Sequence, residues 1–180
     1  REYFNVSTWT GNDGTTNITG LEFEPDMVWA KCKSATHDHQ RYDDVRGATY
    51  SLRQDADPAY QWNDGLTSFN SDGYTFGANG RTNANNETYH GWAWKKGATP
   101  GLDIVQYEGN GTNRTISHSL GVAPKLMIIK NKSGDFLSLD HDKILQEVVM
   151  AKLKDDVPGD LDNYSIYPKN HTFYEDSNMY

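Results

Sequence analysis

Turn-forming dipeptides recur along this chain and divide it into short segments of strand-forming residues. Asp-Gly and Asn-Gly pairs, which tolerate the positive φ angles of tight hairpin turns, stand at 13–14, 64–65, 72–73, 79–80 and 110–111. Around them we predict strands at 3–9, 17–23, 26–33, 48–52, 66–69, 73–77, 87–95, 102–108, 113–118, 125–131 and 135–139. Many short strands at this spacing predict an all-β antiparallel sandwich and argue against a parallel α/β sheet.

The chain also contains an internal repeat. Residues 9–12 (WTGN) correspond to 107–110 (YEGN), and residues 25–34 correspond to 124–133 with the proline, both lysines and the serine in register. The period is too long for a solenoid unit. We therefore predict two related β modules, 1–97 and 98–141, and expect the second to be incomplete or diverged.

One segment departs from the strand pattern. Apolar residues between 142 and 155 recur at three- and four-residue steps, the period of a helix, and Asp140 or Asp142 could cap its first turn. We predict one late helix near 142–155. The tail from Pro158 to Tyr180 is polar and rich in tyrosine, with room for two short strands, and we expect 142–180 to pack on or beside the sandwich.

Charge and composition exclude several classes of protein. The net charge is −8, and no cluster of Lys and Arg offsets it, so nucleic-acid binding is not expected. No run approaches the roughly 20 apolar residues that cross a bilayer, so we predict no membrane insertion. The single cysteine, Cys32, cannot form an internal disulfide and is expected to pack as a small side chain on a sheet face. Because the first residue is Arg1, we expect a piece of a longer polypeptide.

Five segments together resemble a known domain family. They are 44–49 (DVRGAT), 66–74 (LTSFNSDGY), 88–95 (TYHGWAWK), 107–111 (YEGNG) and 116–130 (ISHSLGVAPKLMIIK). In this order they are similar to a module that occurs in tandem in the tail proteins of marine and cyanobacterial bacteriophages. The resemblance spans about 5–139, and the residues after Asp140 do not follow the pattern.

The resemblance implies a structural protein of the virion, of the tail-fibre or adhesin type, that mediates attachment to the host surface. It implies other virion proteins as partners, a homo-oligomer with a trimer favoured, host-surface glycan as a ligand, and location in the extracellular particle. It implies no catalytic residues. Three alternatives remain open: a head decoration or connector protein that binds only virion proteins, a polysaccharide depolymerase, and a non-viral extracellular lectin.

Reactive constellations are not evident in the sequence. There is no G-x-S-x-G motif, and adjacent carboxylates cannot face each other across the roughly 5 to 9.5 Å that glycoside hydrolysis requires, so we predict that the chain is not an enzyme. Metal ligands could come from 37–39 (HDH), from Asp43 and Asp44, or from 140–142 (DHD). Zinc needs three or four converging ligands. We predict no cofactor, with calcium as the alternative that acidic loops favour.

Aromatic residues are the best candidates for ligand contact. Thr88, His90, Trp92 and Trp94 share one face of a predicted strand, and Tyr89, Gly91 and Ala93 share the other. The division into large and small side chains favours Trp92 and Trp94 as core residues, with a sugar-stacking platform as the alternative. Tyr60 and Trp62 lie in a Pro-, Asp- and Gly-rich loop, and we predict them as the ligand-binding residues because loops carry recognition on a rigid sandwich.

Arg46 follows the carboxylates Asp43 and Asp44 at the start of a predicted strand. We predict that it forms a structural ion pair with one of them.

Overall fold

Antiparallel strands account for nearly all the regular structure in residues 2–52, 60–110, 112–131 and 145–151, which are the residues that the computed structural model describes; residues 60, 131 and 145–151 are described by their backbone alone. The elements are β1 (Phe4–Thr10), β2 (Thr16–Thr19), β3 (Met27–Cys32), β4 (Gln40–Asp43), β5 (Tyr50–Ser51), β6 (Tyr60–Gln61), β7 (Leu66–Asn70), β8 (Gly73–Phe76), α1 (Gly80–Asn83), β9 (Thr88–Trp94), β10 (Leu102–Glu108), β11 (Leu126–Asn131) and β12 (Leu145–Ala151). The all-β prediction is confirmed. None of the described helices is long and apolar enough to cross a membrane.

The described strands form four sheets. Their orders are β1-β9-β3-β4, β2-β8-β7, β5-β6 and β10-β12-β11. All the pairings within these sheets are antiparallel. The strands predicted at 66–69 and 73–77 are present as β7 and β8, and they pair as a hairpin in which Asn70 lies opposite Gly73.

The main core lies between the first two sheets and is dominated by aromatic rings. Trp9 of β1 stacks on Phe76 of β8 and on Tyr89 of β9, with ring centroids 5.1 and 5.4 Å apart. Its indole nitrogen donates a hydrogen bond of 2.9 Å to the Thr82 carbonyl, which satisfies the polar end of the ring inside the core. Cys32 is buried in the same cluster, as predicted.

Gly91 shows which face of β9 is the inner one. A Cβ at this position would lie 2.2 Å from Tyr74 Oη and 2.9 Å from Trp9 Cζ3, so only glycine leaves space for these two rings. Tyr89 and Ala93, which share this face with Gly91, are each 1% exposed. The prediction that Trp92 is a core residue is therefore wrong. Trp92 and Trp94 lie on the outer face of β9, because the small residues Gly91 and Ala93 on the inner face leave space for rings from the opposing strands. Trp94 packs there against the smaller buried cluster of Met27, Leu102 and Ile104.

The internal repeat has a counterpart in sheet topology. In the first copy β9 lies between β1 and β3, and Trp94 pairs with Phe4 and Met27. In the second copy β12 lies between β10 and β11, and Ala151 pairs with Leu102 and Leu126. The two three-stranded units have the same strand order and the same register. They differ in the connection to the central strand, which is 33–87 in the first copy and 132–144 in the second.

The predicted helix near 142–155 is wrong over Leu145–Ala151, which form β12. The three- and four-residue spacing of apolar residues here coincides with β-branched Val148 and Val149, residues that favour strands. Pairing on both sides, to Ile104 and to Ile128 through Val149, supplies backbone hydrogen bonds that no local pattern reveals. The rest of the predicted helix lies outside the described residues.

Other boundaries also differ from prediction. The strand expected at 17–23 ends at Thr19, because Gly20 and Glu22 adopt positive φ angles of 83° and 69° while the Asp72 carboxylate accepts hydrogen bonds from both backbone nitrogens. No strand forms at 113–118. The short strands β4 and β6 were not predicted. The strand expected at 135–139 lies outside the described residues.

Candidate functional site

The outer face of β1, β9 and β3 carries three rows of side chains across the strands. Strand register sets the rows: Phe4, Trp94 and Met27 in the first, Val6, Trp92 and Trp29 in the second, and Thr8, His90 and Lys31 in the third. We call Phe4, Val6, Trp29, His90, Trp92 and Trp94 the aromatic face. The face exists because alternation directs every second residue of each strand away from the core.

The aromatic face is accessible to solvent. Phe4 is 44% and Val6 47% exposed, and the rings that β3 and β9 contribute to this face, Trp29, His90, Trp92 and Trp94, are all partly exposed. The rings of His90 and Trp92 stack with centroids 6.3 Å apart at an angle of 23°. Apolar side chains held on a rigid sheet in this way form a preorganised contact surface.

The second copy closes one end of the aromatic face. Leu102 and Ile104 of β10 form a buried cluster with Met27, and Trp94 packs against that cluster. In the first row, Met27 and Trp94 thus contact the second copy, while Phe4 stays exposed. The second row, with Trp92 and Trp29 side by side, is the open part.

Polar groups border the open row. The Trp29 indole nitrogen donates a hydrogen bond of 3.0 Å to Nδ1 of His39. This bond holds the N–H edge of the indole toward the 37–39 loop. Lys31 Nζ donates to the His37 carbonyl over 2.5 Å. Indole rings beside imidazole and ammonium groups can contact the apolar C–H face of a sugar while donating hydrogen bonds to its hydroxyls.

Trp62 and Tyr60, the residues predicted to bind ligand, lie elsewhere. Tyr60 is in β6, where its backbone pairs with Ser51. Trp62 follows directly, and its backbone nitrogen donates to the Thr49 carbonyl over 2.8 Å. The Arg81 guanidinium carbon lies 4.9 Å from the centroid of the Trp62 ring, so a cation of the protein already occupies one face of this indole.

Comparison with known proteins gives a family for the chain. A family model described as a domain of unknown function, DUF7483, matches residues 1–156. The chain belongs to the DUF7483 family. No curated protein and no solved structure gives a significant match.

Two of the carboxylates considered as possible metal ligands in the DUF7483 chain, Asp43 and Asp44, are engaged with cationic side chains. Asp43 forms a buried ion pair with Arg46, whose Nε donates to the carboxylate over 2.8 Å, so the predicted structural ion pair is confirmed. Asp44 pairs with Lys96 over 2.7 Å. Within the described part of the chain, no three His, Cys, Asp or Glu side chains come together as a metal site. The 140–142 segment lies outside that part.

Groups with strongly shifted pKa values lie in the core of the DUF7483 chain and not on the aromatic face. Burial raises the pKa of Tyr42, Tyr74 and Tyr89 to about 12. Tyr74 Oη shares a hydrogen bond of 2.5 Å with Ser7 Oγ, and Tyr89 Oη donates to the Gly80 carbonyl over 3.0 Å. These phenols stay protonated and serve as hydrogen-bonding core residues.

Sequence reasoning missed Phe4, Val6 and Trp29 as members of the site. A sequence signal for β1 was present: Phe4, Val6 and Thr8 are every second residue of the strand, and the buried Trp9 belongs to the other set. Only the pairing of β1, β9 and β3 shows that the three alternating sets meet on one face.

Proposed function

We propose that this DUF7483 chain is a non-catalytic structural protein of a bacteriophage virion, of the tail-fibre or adhesin type, whose aromatic face holds host-surface glycan. The observation that carries the proposal is the open row Val6, Trp92 and Trp29, bordered by hydrogen-bonding side chains. A flat row of this kind favours the binding of a sugar ring over catalysis, because binding requires only apolar area and a few polar groups.

Sequence similarity and charge support the same function. The segments between about 5 and 139 resemble tandem modules of phage tail proteins. The net charge of −8 disfavours a nucleic-acid partner. Other virion proteins are the expected structural partners, in an extracellular particle.

A single aromatic strip binds weakly, and the proposed homotrimer compensates for this. Three copies of the same strip would engage one glycan-coated surface at once. Linked sites of this kind can raise overall avidity by about 10²–10⁴ without any new contact. Weak, repeated contacts are therefore sufficient for adsorption.

The proposal is tested on an array of purified bacterial surface polysaccharides, probed with the full chain. Trp92→Ala and Trp29→Ala should each weaken binding to the best-bound polysaccharide by about tenfold per site, equivalent to roughly 1.4 kcal/mol of lost contact. Trp62→Ala is the matched control, since it removes the same side chain from a surface outside the aromatic face, and it should retain binding.

Two further measurements separate the alternatives. Reducing ends released from the bound polysaccharide would indicate a depolymerase. Microscopy of intact particles locates the chain on a tail fibre or on the head. Absence of binding to every polysaccharide, or equal loss in the Trp62→Ala and Trp92→Ala variants, would reject the aromatic face as the glycan site.

A further inference from the structure

The second copy has a sheet face that its first-copy counterpart buries. Met127 and Ile129 of β11 occupy the repeat positions of Val28 and Ala30 in β3. Val28 and Ala30 are 0% and 1% exposed, whereas Met127 and Ile129 are 57% and 56% exposed. Together with Tyr107 of β10 they line a depression of about 450 Å³. We call Tyr107, Met127 and Ile129 the open face.

The first copy shows what kind of element fits such a face. There the β2-β8-β7 sheet covers the equivalent positions, and its β7–β8 hairpin contributes Leu66, Tyr74 and Phe76, all 0% exposed. That hairpin lies within the long 33–87 connection. The complementary element is thus an antiparallel pair of short strands with large apolar and aromatic side chains on one side.

The second copy retains only part of this cover. Ile116, the counterpart of Ile18 in β2, packs against the buried Leu120, as do Val105 and Tyr107 of β10. This covers the β10 side of the face. On the β11 side the described part of the chain leaves Met127 and Ile129 more than half exposed.

We propose that the tail of this chain, residues 152–180, covers the open face. The tail leaves β12 at Ala151, which pairs with Leu126, the neighbour of Met127. The 132–144 connection begins instead at Asn131, about 16 Å further along β11 at the usual rise per residue. The tail therefore starts one residue from Met127. The 132–144 connection starts two residues from Ile129, but it has 13 residues and both its ends lie at the Asn131 end of the sheet.

The tail has the length and the composition that the open face requires. It contains 29 residues, against 11 for Leu66–Phe76 in the covering hairpin of the first copy. Segments 163–167 (NYSIY) and 171–174 (HTFY) supply large apolar and aromatic side chains on either side of 168–170 (PKN), a turn-type sequence. The family match ends at 156, so most of this tail lies outside the matched domain.

The test is methionine oxidation of the full chain by hydrogen peroxide, followed residue by residue with mass spectrometry. If the tail covers the face, Met127 should oxidise at least roughly tenfold more slowly than free N-acetylmethionine, because access controls the rate. Met27, which is 4% exposed, reports in the same sample whether the main fold is intact. The measurement is repeated over a hundredfold range of protein concentration.

Tail variants identify the occupant. Ile166→Asp should bring oxidation of Met127 close to the free rate, while Met27 stays protected. Ser165→Asp adds the same charge to the neighbouring residue, which points the opposite way in a strand, and should leave Met127 protected. Fast oxidation of Met127 in the unmodified chain overturns the proposal. Protection of Met127 that survives Ile166→Asp also overturns the proposal, because another segment must then cover the face. Protection that is lost on dilution overturns it as well, because a second copy of the chain must then be the cover.

Discussion

Gly91→Ala tests the orientation of β9, on which the whole assignment of the aromatic face depends. The added Cβ would lie 2.2 Å from Tyr74 Oη and 2.9 Å from Trp9 Cζ3, far inside van der Waals contact. Overpacking of a close-packed core costs about 1 to 3 kcal/mol, and displacing Tyr74 would also break its hydrogen bond to Ser7, worth about 1 kcal/mol. We expect a loss of about 2 to 4 kcal/mol in the free energy of unfolding.

Equilibrium urea unfolding and thermal melting measure this loss, and we expect the melting temperature to fall by roughly 5 to 15 °C. Gly80→Ala is the matched control, because its Cβ would meet only Ala84 Cβ at 3.9 Å. In Tyr74→Phe, which lacks the closest atom, Gly91→Ala should cost less. If Gly91 instead faced solvent, with Trp92 and Trp94 in the core, Gly91→Ala would be neutral or stabilising, and the reasoning would be refuted.

Two further predictions concern buried polar groups. Burial raises the pKa of Tyr42 and Tyr74 from 10.0 to about 12, so the unfolded chain loses these protons first as pH rises. The contribution of these tyrosines to the free energy of unfolding should be complete below pH 10. It should fall between pH 10 and about 12, by on the order of 2 to 3 kcal/mol for each residue. Urea unfolding at pH 9 and pH 11 measures this fall, and the Tyr74→Phe variant should show a smaller one. Arg46→Ala leaves the buried Asp43 carboxylate without its cation and should cost about 3 to 5 kcal/mol in the same assay, whereas unchanged stability would contradict a buried ion pair.

Fold class could be predicted from sequence because turn chemistry is local. The Asp72-Gly73 pair alone places the β7–β8 hairpin, because Gly73 has a φ of 154°, which residues with a side chain rarely adopt. No other residue fits there, so the turn is encoded in the residue itself. The internal repeat could also be found from the sequence, because it requires only a comparison of one part of the chain with another.

The wrong predictions for the face of β9 and for the helix near 142–155 share one cause. The inner and outer faces of β9 alternate identically whichever face is buried, so the pattern could not say whether Trp92 or Gly91 faces the core. Apolar spacing in 145–151 fits a helix as well as a strand, and only the neighbours β10 and β11 decide between them. Both outcomes depend on partners far away in sequence.

Buried polar strands were the third failure. Gln40 and Arg41 are each 1% exposed, and Gln40 Oε1 accepts a hydrogen bond of 2.5 Å from Ser51 Oγ. A run of polar and charged residues predicts an exposed loop. Their burial depends on tertiary hydrogen bonds, which a single sequence does not show.

The most direct test of the aromatic face follows the indole N–H signals of the five tryptophans by ¹⁵N NMR. The full chain is titrated with the polysaccharide that it binds best on the array. The signals of Trp29 and Trp92 should shift progressively, while those of Trp9, buried in the core, and of Trp62 stay in place. Shifts confined to Trp62, or no shift at saturating polysaccharide, would contradict a glycan site on the outer face of β1, β9 and β3.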